Sequence, residues 1–218
     1  VTSDDPRFVS PNGTLDALSA AGRAANDADM IVALDPHGVP YPIDKWQAHV
    51  DNVPHLAVSV FVFWNGQLLL QRRALQKYHS GGLWANTCCT HPRWRESPLD
   101  CARRRLSEEL GIDLPLRRFG RIDYQAAVGP APVRPDGAPI ELFENERVQC
   151  YVGHVQGPSM DADPDPLEVQ DMQWRDLLEL AGDVRAHPLR YTAWLRIYLA
   201  RHLSMLKVVA TPSDTLTS

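Results

Sequence analysis

Residues 56–64, Leu-Ala-Val-Ser-Val-Phe-Val-Phe-Trp, are β-branched or aromatic almost throughout, and Asn65-Gly66 follows directly. Asn-Gly accepts the positive φ values of a two-residue hairpin turn, so residues 67–72 are predicted to return as a second antiparallel strand. A helix is specified nearly as closely over 98–110. Ser97 is a good N-cap, Pro98 suits the first helical position, and Asp100 completes a capping-box-like start at the positive end of the dipole. Leu99, Ala102, Leu106 and Leu110 recur at helical spacing, and Gly111 stops the helix. Weaker patterns fill in the rest. Strands are expected at 30–34, 118–124, 147–155 and 169–174, with a return strand beginning at Val39 and a helical turn over 44–49. A helix is expected from about Arg175, and another where Tyr191, Trp194, Leu195, Tyr198, Leu199, His202, Leu203 and Leu206 share one face. Prolines and glycines mark loops at 128–140 and 157–166. Strands interleaved with helices in this way predict an α/β or α+β sandwich, a mixed sheet between helices.

The 218 residues, 44% of them hydrophobic, suit one domain with extensions. The expected division is a weakly ordered extension over 1–28, a single domain over 29–207 and a disordered tail over 208–218. A net charge of −5 implies no general affinity for nucleic acid or an acidic membrane, so any basic site must be local. No apolar run approaches a bilayer's thickness, and the N-terminus lacks the basic and apolar regions of a signal peptide. Cys88, Cys89, Cys101 and Cys150 make no C-x-x-C pair, and a bridge between adjacent Cys88 and Cys89 would be strained. A reducing, cytoplasmic compartment is expected.

The run from Asn86 to Ile112 joins thiols and an imidazole to the charged helix. Thr90, Glu96, Arg104, Arg105, Leu106, Glu108, Glu109, Gly111 and Ile112 occupy the slots of a pattern that resembles the Nudix signature. Thr90 stands where that signature has Gly, and Arg105 where it has a Glu that helps hold Mg²⁺ against a diphosphate. An Arg there can hold only anions, which argues against ordinary hydrolysis. Asn86-Thr87-Cys88-Cys89-Thr90-His91-Pro92, together with Glu144-Asn145-Glu146, is similar to the type I isopentenyl-diphosphate isomerases, a branch of the Nudix superfamily. The resemblance runs from about Val32 to about Trp194. Residues 128–140 look like an insertion relative to that family.

The resemblance implies a Nudix-type fold and two cation sites. His49, His55, His91, Glu144 and Glu146 are the implied ligands of one transition metal, Mn²⁺ or Zn²⁺, to which such a nitrogen-and-carboxylate set is suited. Taken singly, each His reads more readily as a core or surface residue. Glu144 and Glu146 are two apart, so on an extended segment they share a face. His37, His79, His154, His187 and His202 match no ligand slot. Glu109 is the implied Mg²⁺ ligand, the ion also binding the substrate diphosphate. Taken alone, Glu109 reads as one half of a surface ion pair with Arg105. Lys45, Arg73, Lys77 and Arg105 match the positions that hold the diphosphate.

The implied reaction interconverts isopentenyl and dimethylallyl diphosphate by a proton shift through a tertiary cation. Cys89 and Glu146 are the implied proton carriers, Glu146 with Tyr124 acting as acid and Cys89 as base; the sequence leaves the reverse assignment open. Cys89 rather than Cys88 lies two residues before the ligand His. Trp194 would face the cation, although its spacing alone reads as a core residue, and Trp84 would shape the pocket similarly. The implied partner is a small prenyl diphosphate, with the chain a monomer or weak homodimer. The competing expectation is a Nudix hydrolase of a nucleoside or prenyl diphosphate.

Overall fold

The computed structural model of the chain describes residues 29–128, 140–157 and 161–212. The expected extension over 1–28, most of the 128–140 loop and the end of the expected tail lie outside the described residues. The elements in order are β1 (Met30–Leu34), β2 (Pro40–Asp44), α1 (Lys45–Val50), β3 (His55–Trp64), β4 (Gln67–Arg73), β5 (Trp84–Asn86), β6 (Cys88–Thr90) and α2 (Pro98–Leu110). They continue with β7 (Arg117–Val128), β8 (Leu142–His154), β9 (Val169–Asp176), α3 (Leu177–Ala186), a 3-10 turn (Pro188–Arg190) and α4 (Ala193–Ala210).

β3 is the spine of a mixed sheet. Along one edge it meets β8 in parallel, from His55 opposite Glu146 to Phe63 opposite His154. Along its other edge it pairs with β1 at Ala33, with β6 from Val58 to Val60, and with β4 only at the hairpin. That hairpin has Asn65 at φ 47 and Gly66 at φ 78, the left-handed pair the sequence required. Beyond it β3 and β4 part, and β5 and β6 fill the gap. Thr87 sits where they part: its hydroxyl accepts from the Val62 amide at 2.9 Å and donates to the Leu69 carbonyl at 2.7 Å. Two backbone groups that the diverging strands leave unpaired are thereby satisfied.

Both faces of the sheet are covered. Val58, Val60, Val62 and Leu69 pack with Leu106 and Leu110 of α2. Ala57, Phe61, Phe63, Leu68 and Leu70 pack with Leu180 of α3 and with Trp194, Leu195, Tyr198 and Leu206 of α4. α2 starts on Ser97, whose hydroxyl accepts from the Asp100 amide, and ends on Gly111 at φ 66. Several elements outrun their expected bounds, β8 and the last helix with the clearest causes. β8 begins at Leu142, not 147, because its antiparallel ladder with β7 extends to Val128 opposite Leu142 and carries the strand-averse Glu144-Asn145-Glu146 along. α4 runs on to Ala210, past the expected domain end at 207, because Val209 and Ala210 are buried in the core. Among the described residues no helix is long and apolar enough to cross a membrane.

Candidate active site

One pocket opens at the end of the sheet where β3 begins. Lys45, Arg73, Lys77, Arg105, Cys89, His91, Glu109, Tyr124, Glu144, Glu146 and Trp194 all line it, with Tyr78, His79 and Thr90. His49 and His55 lie just behind its wall and are fully buried. Trp84 is not among the lining residues; its strand instead bridges to Tyr191.

The imidazoles are aimed by the backbone. Asp44 caps α1, and one turn later His49 places Nδ1 at 2.6 Å from the Lys45 carbonyl. His55, at the start of β3, places Nδ1 at 2.7 Å from the Val53 carbonyl. Each ring thereby donates through Nδ1 and turns an Nε2 lone pair inward. β8 supplies the carboxylates: residues 142, 144, 146 and 148 alternate inward, so Glu144 and Glu146 share a buried face. Donor atoms of His49, His55, His91 and Glu144 lie within 4.8 Å of one another. Glu146 stands beside this group, with Oε1 at 2.8 Å from His91 Nε2 and 3.8 Å from His55 Nε2.

The group fits a divalent metal. His49 Nε2, His55 Nε2 and Glu144 Oε2 are buried without a hydrogen-bond partner, an expensive state for polar atoms. Burial, reinforced by His91 and His49, holds the His55 imidazole down at about 3, so the ring is neutral at physiological pH, the state in which an imidazole can bind a metal. The paired carboxyls separate in acidity. Burial works to raise Glu144, but the neighbouring His49 and His91 imidazoles outweigh it and hold Glu144 well below the carboxylate range. Burial and the neighbouring Glu144 push Glu146 well above that range, against the pull of a 2.6 Å hydrogen bond from Tyr124 Oη to its Oε2.

Cys89 comes from β6, on the opposite edge of β3 from Glu146. Its thiol donates to Asn86 Oδ1 at 2.9 Å, and Ser59 Oγ lies 3.2 Å from the sulfur. Burial pushes this thiol well up, partly opposed by the Ser59 bond. Cys88 is fully buried against α2, on the other face of the sheet.

The cations gather on another part of the wall. Arg73 lies with its guanidinium carbon 5.4 Å from the Trp194 ring centroid, and Lys45 Nζ stands 5.6 Å over Tyr78. Burial, then the nearby Lys77, Arg105 and Arg73, bring the Lys45 amine down to about 8. Arg105 donates to Glu109 at 2.7 Å and to Glu168 at 3.1 Å, and Lys77 also pairs with Glu168. Glu109 is therefore no surface residue: it is buried, held also by Gln71 at 3.0 Å. Each of its oxygens keeps a lone pair for a pocket-side cation.

Sequence reasoning missed three contributors. His79 is buried, with Nε2 at 3.4 Å from Glu144 Oε1 and its ring edge-on to Trp194. Glu168 joins two of the cations, and Ser59 touches the sulfur. No sequence pattern marked Ser59, because its place opposite Cys89 is set by the β3–β6 ladder.

This arrangement, a Nudix-like box whose helix faces a metal-competent pocket, defines the class. The NUDIX domain model matches residues 53–195. A solved protein from Deinococcus radiodurans shares the fold, with a TM-score of 0.59 at 14% identity, covering 79% of this chain and 98% of that one. The isopentenyl-diphosphate Delta-isomerase of Cereibacter sphaeroides strain KD131 is 47% identical over 167 residues, covering 76% of this chain and 88% of the relative. The protein of the same name from Dinoroseobacter shibae is 49% identical over 163 residues, covering 74% and 86%. That from Jannaschia sp. strain CCS1 is 43% identical over 176 residues, covering 80% and 94%. The chain belongs to the isopentenyl-diphosphate Delta-isomerase family of NUDIX-domain proteins.

Proposed function

We propose that the protein interconverts isopentenyl diphosphate and dimethylallyl diphosphate by a protonation–deprotonation shift through a tertiary carbocation. One observation carries this reading: Cys89 and Glu146, delivered by strands on either edge of β3, line the same pocket as Lys45, Arg73, Lys77 and Arg105. The four cations hold the diphosphate, the arginines by forked hydrogen bonds and the lysines as point charges. Glu146, bonded by Tyr124, delivers a proton to the terminal alkene carbon and becomes the carboxylate, while Cys89, acting as the thiolate, takes one from the carbon nearer the diphosphate and becomes the thiol. The same two groups exchange roles for the reverse direction. Trp194 offers its indole face to the cation, a contact worth about 2 kcal/mol in a desolvated site. Water must be kept from the cation, which it would otherwise capture as an alcohol.

His49, His55, His91, Glu144 and Glu146 would hold Mn²⁺ or Zn²⁺, and Glu109 would hold Mg²⁺ arriving with the diphosphate. When bound, these ions fix the carboxylates and neutralise phosphate charge. The four cysteines are free, which fits a reducing cytoplasm.

The test is incubation with isopentenyl diphosphate and Mg²⁺ under proton NMR. Growth of the allylic methyl signals of dimethylallyl diphosphate without phosphate release is expected. Phosphate release without isomerisation would replace this reading with a diphosphate hydrolase.

A further inference from the structure

The mechanism above uses the sulfur of Cys89 but not the two hydroxyls stacked behind it. Ser59 Oγ lies 3.2 Å from Cys89 Sγ and 2.8 Å from the phenol of Tyr198, and both hydroxyl residues are buried. The direction of this chain follows from counting protons. Asn86 gives its amide NH₂ to the Val60 carbonyl at 3.0 Å and the Cys88 carbonyl at 3.4 Å, so its Oδ1 is the side turned to the sulfur. The thiol has one proton, and the 2.9 Å bond to Asn86 Oδ1 uses it. Ser59 therefore donates to the sulfur. Its own proton thus committed, it accepts from Tyr198. The order is Tyr198 to Ser59 to Cys89 to Asn86, with each hydroxyl proton placed.

We propose that Ser59 and Tyr198 are positioning residues that fix the sulfur of Cys89 in the pocket wall, Tyr198 acting through Ser59. The two ends of the clamp come from different elements. Ser59 stands opposite Cys89 in the β3–β6 ladder, and Tyr198 comes from α4, four residues after Trp194. One helix thus both presents the indole and anchors the thiol's support. The edge-on contact of Tyr198 with the ring of Tyr124, centroids 5.9 Å apart, sets Tyr198 against the residue that bonds Glu146. Cooperative polarisation along such a chain makes each bond stronger than it would be alone.

The inference rests on the isomerase reading, and the test separates the two. Ser59→Ala, Tyr198→Phe and the double variant are compared with the unsubstituted protein for kcat, KM, thermal stability and binding of inorganic pyrophosphate. Tyr198→Phe keeps the ring in the core and removes only the donor. Its kcat is expected to fall about threefold to tenfold, the effect of one lost hydrogen bond. Ser59→Ala should fall further, and the double variant no further than Ser59→Ala, because Tyr198 has no other route to the sulfur. KM and pyrophosphate affinity should stay within about twofold, and Ser59→Thr, which restores a hydroxyl, should recover kcat relative to Ser59→Ala. If the unsubstituted protein isomerises but Tyr198→Phe retains full kcat, or if the two single losses multiply in the double variant, the clamp is rejected alone. If the unsubstituted protein does not isomerise, the functional reading falls and the clamp with it.

Discussion

Cys88 and Cys89 are adjacent on β6 and therefore face opposite sides of the sheet, one against α2 and one in the pocket. Their substitutions should separate accordingly. Cys89→Ala is expected to abolish turnover. Cys88→Ala should leave kcat unchanged and lower stability by about 1 kcal/mol through lost packing, read by urea melts. Glu146→Gln should also be inactive while still binding pyrophosphate. His79 makes a different prediction. Its approach to Glu144 Oε1 braces the carboxylate whose other oxygen lies 3.3 Å from His49 Nε2. His79→Ala should therefore weaken retention of the transition metal by about tenfold, measured by competition with a chromogenic chelator. Undiminished metal affinity would leave His79 a packing residue. Cys89 and Glu146 could be found in the sequence because they stand in motifs. His79 could not, because its partner lies on a strand far along the chain and its neighbours Tyr78 and Ser80 form no pattern.

The helix and hairpin were legible because their ends carry their own stereochemistry: Ser97 and Gly111 for one, Asn65-Gly66 for the other. The short strands β5 and β6 were not, because they exist to fill the gap that opens between β3 and β4. Thr87 holds that gap. Thr87→Val, nearly identical in shape, should destabilise by about 2–3 kcal/mol by stranding the Val62 amide and the Leu69 carbonyl. Glu168, just before β9, ties Lys77 to Arg105 of α2 and makes the link sensitive to acid. Burial works to raise this carboxyl, but Lys77 and Arg105 outweigh it and bring it down to about 2. An unfolded Glu titrates near about 4.3. The ion pairs therefore stabilise the fold fully above that value, and the contribution disappears as pH falls toward 2. Glu168→Gln should be less stable than the parent at pH 7, with the difference closing between about pH 4.5 and pH 2. A constant difference across that range would show that the charge contributes nothing.

The sheet separates two cores, and the pocket draws on both: α2 brings Arg105 and Glu109, while the other face brings Trp194 and Tyr124. An ion held by α1, β3, the segment after β6 and β8 together binds the folded chain and not the unfolded one, so it must stabilise the whole. Chelation is expected to lower the thermal midpoint and abolish turnover, both reversed by Mn²⁺ or Zn²⁺ with Mg²⁺. A midpoint indifferent to the chelator would remove the structural role of the ion.

The alternation along β8 yokes reactivity to architecture. Leu142, Glu144, Glu146, Val148, Cys150 and Val152 descend one face of a single strand, the carboxylates merging into the apolar interior without a break. Sliding that strand by one position would swing both acids outward, bring Asn145 and Arg147 inward, and evict Val148 and Val152 in the same motion. Any redesign of substrate range must accordingly work from the surrounding helices and connections, since an attempt to relocate the acids by editing the strand would dismantle the molecule's centre first.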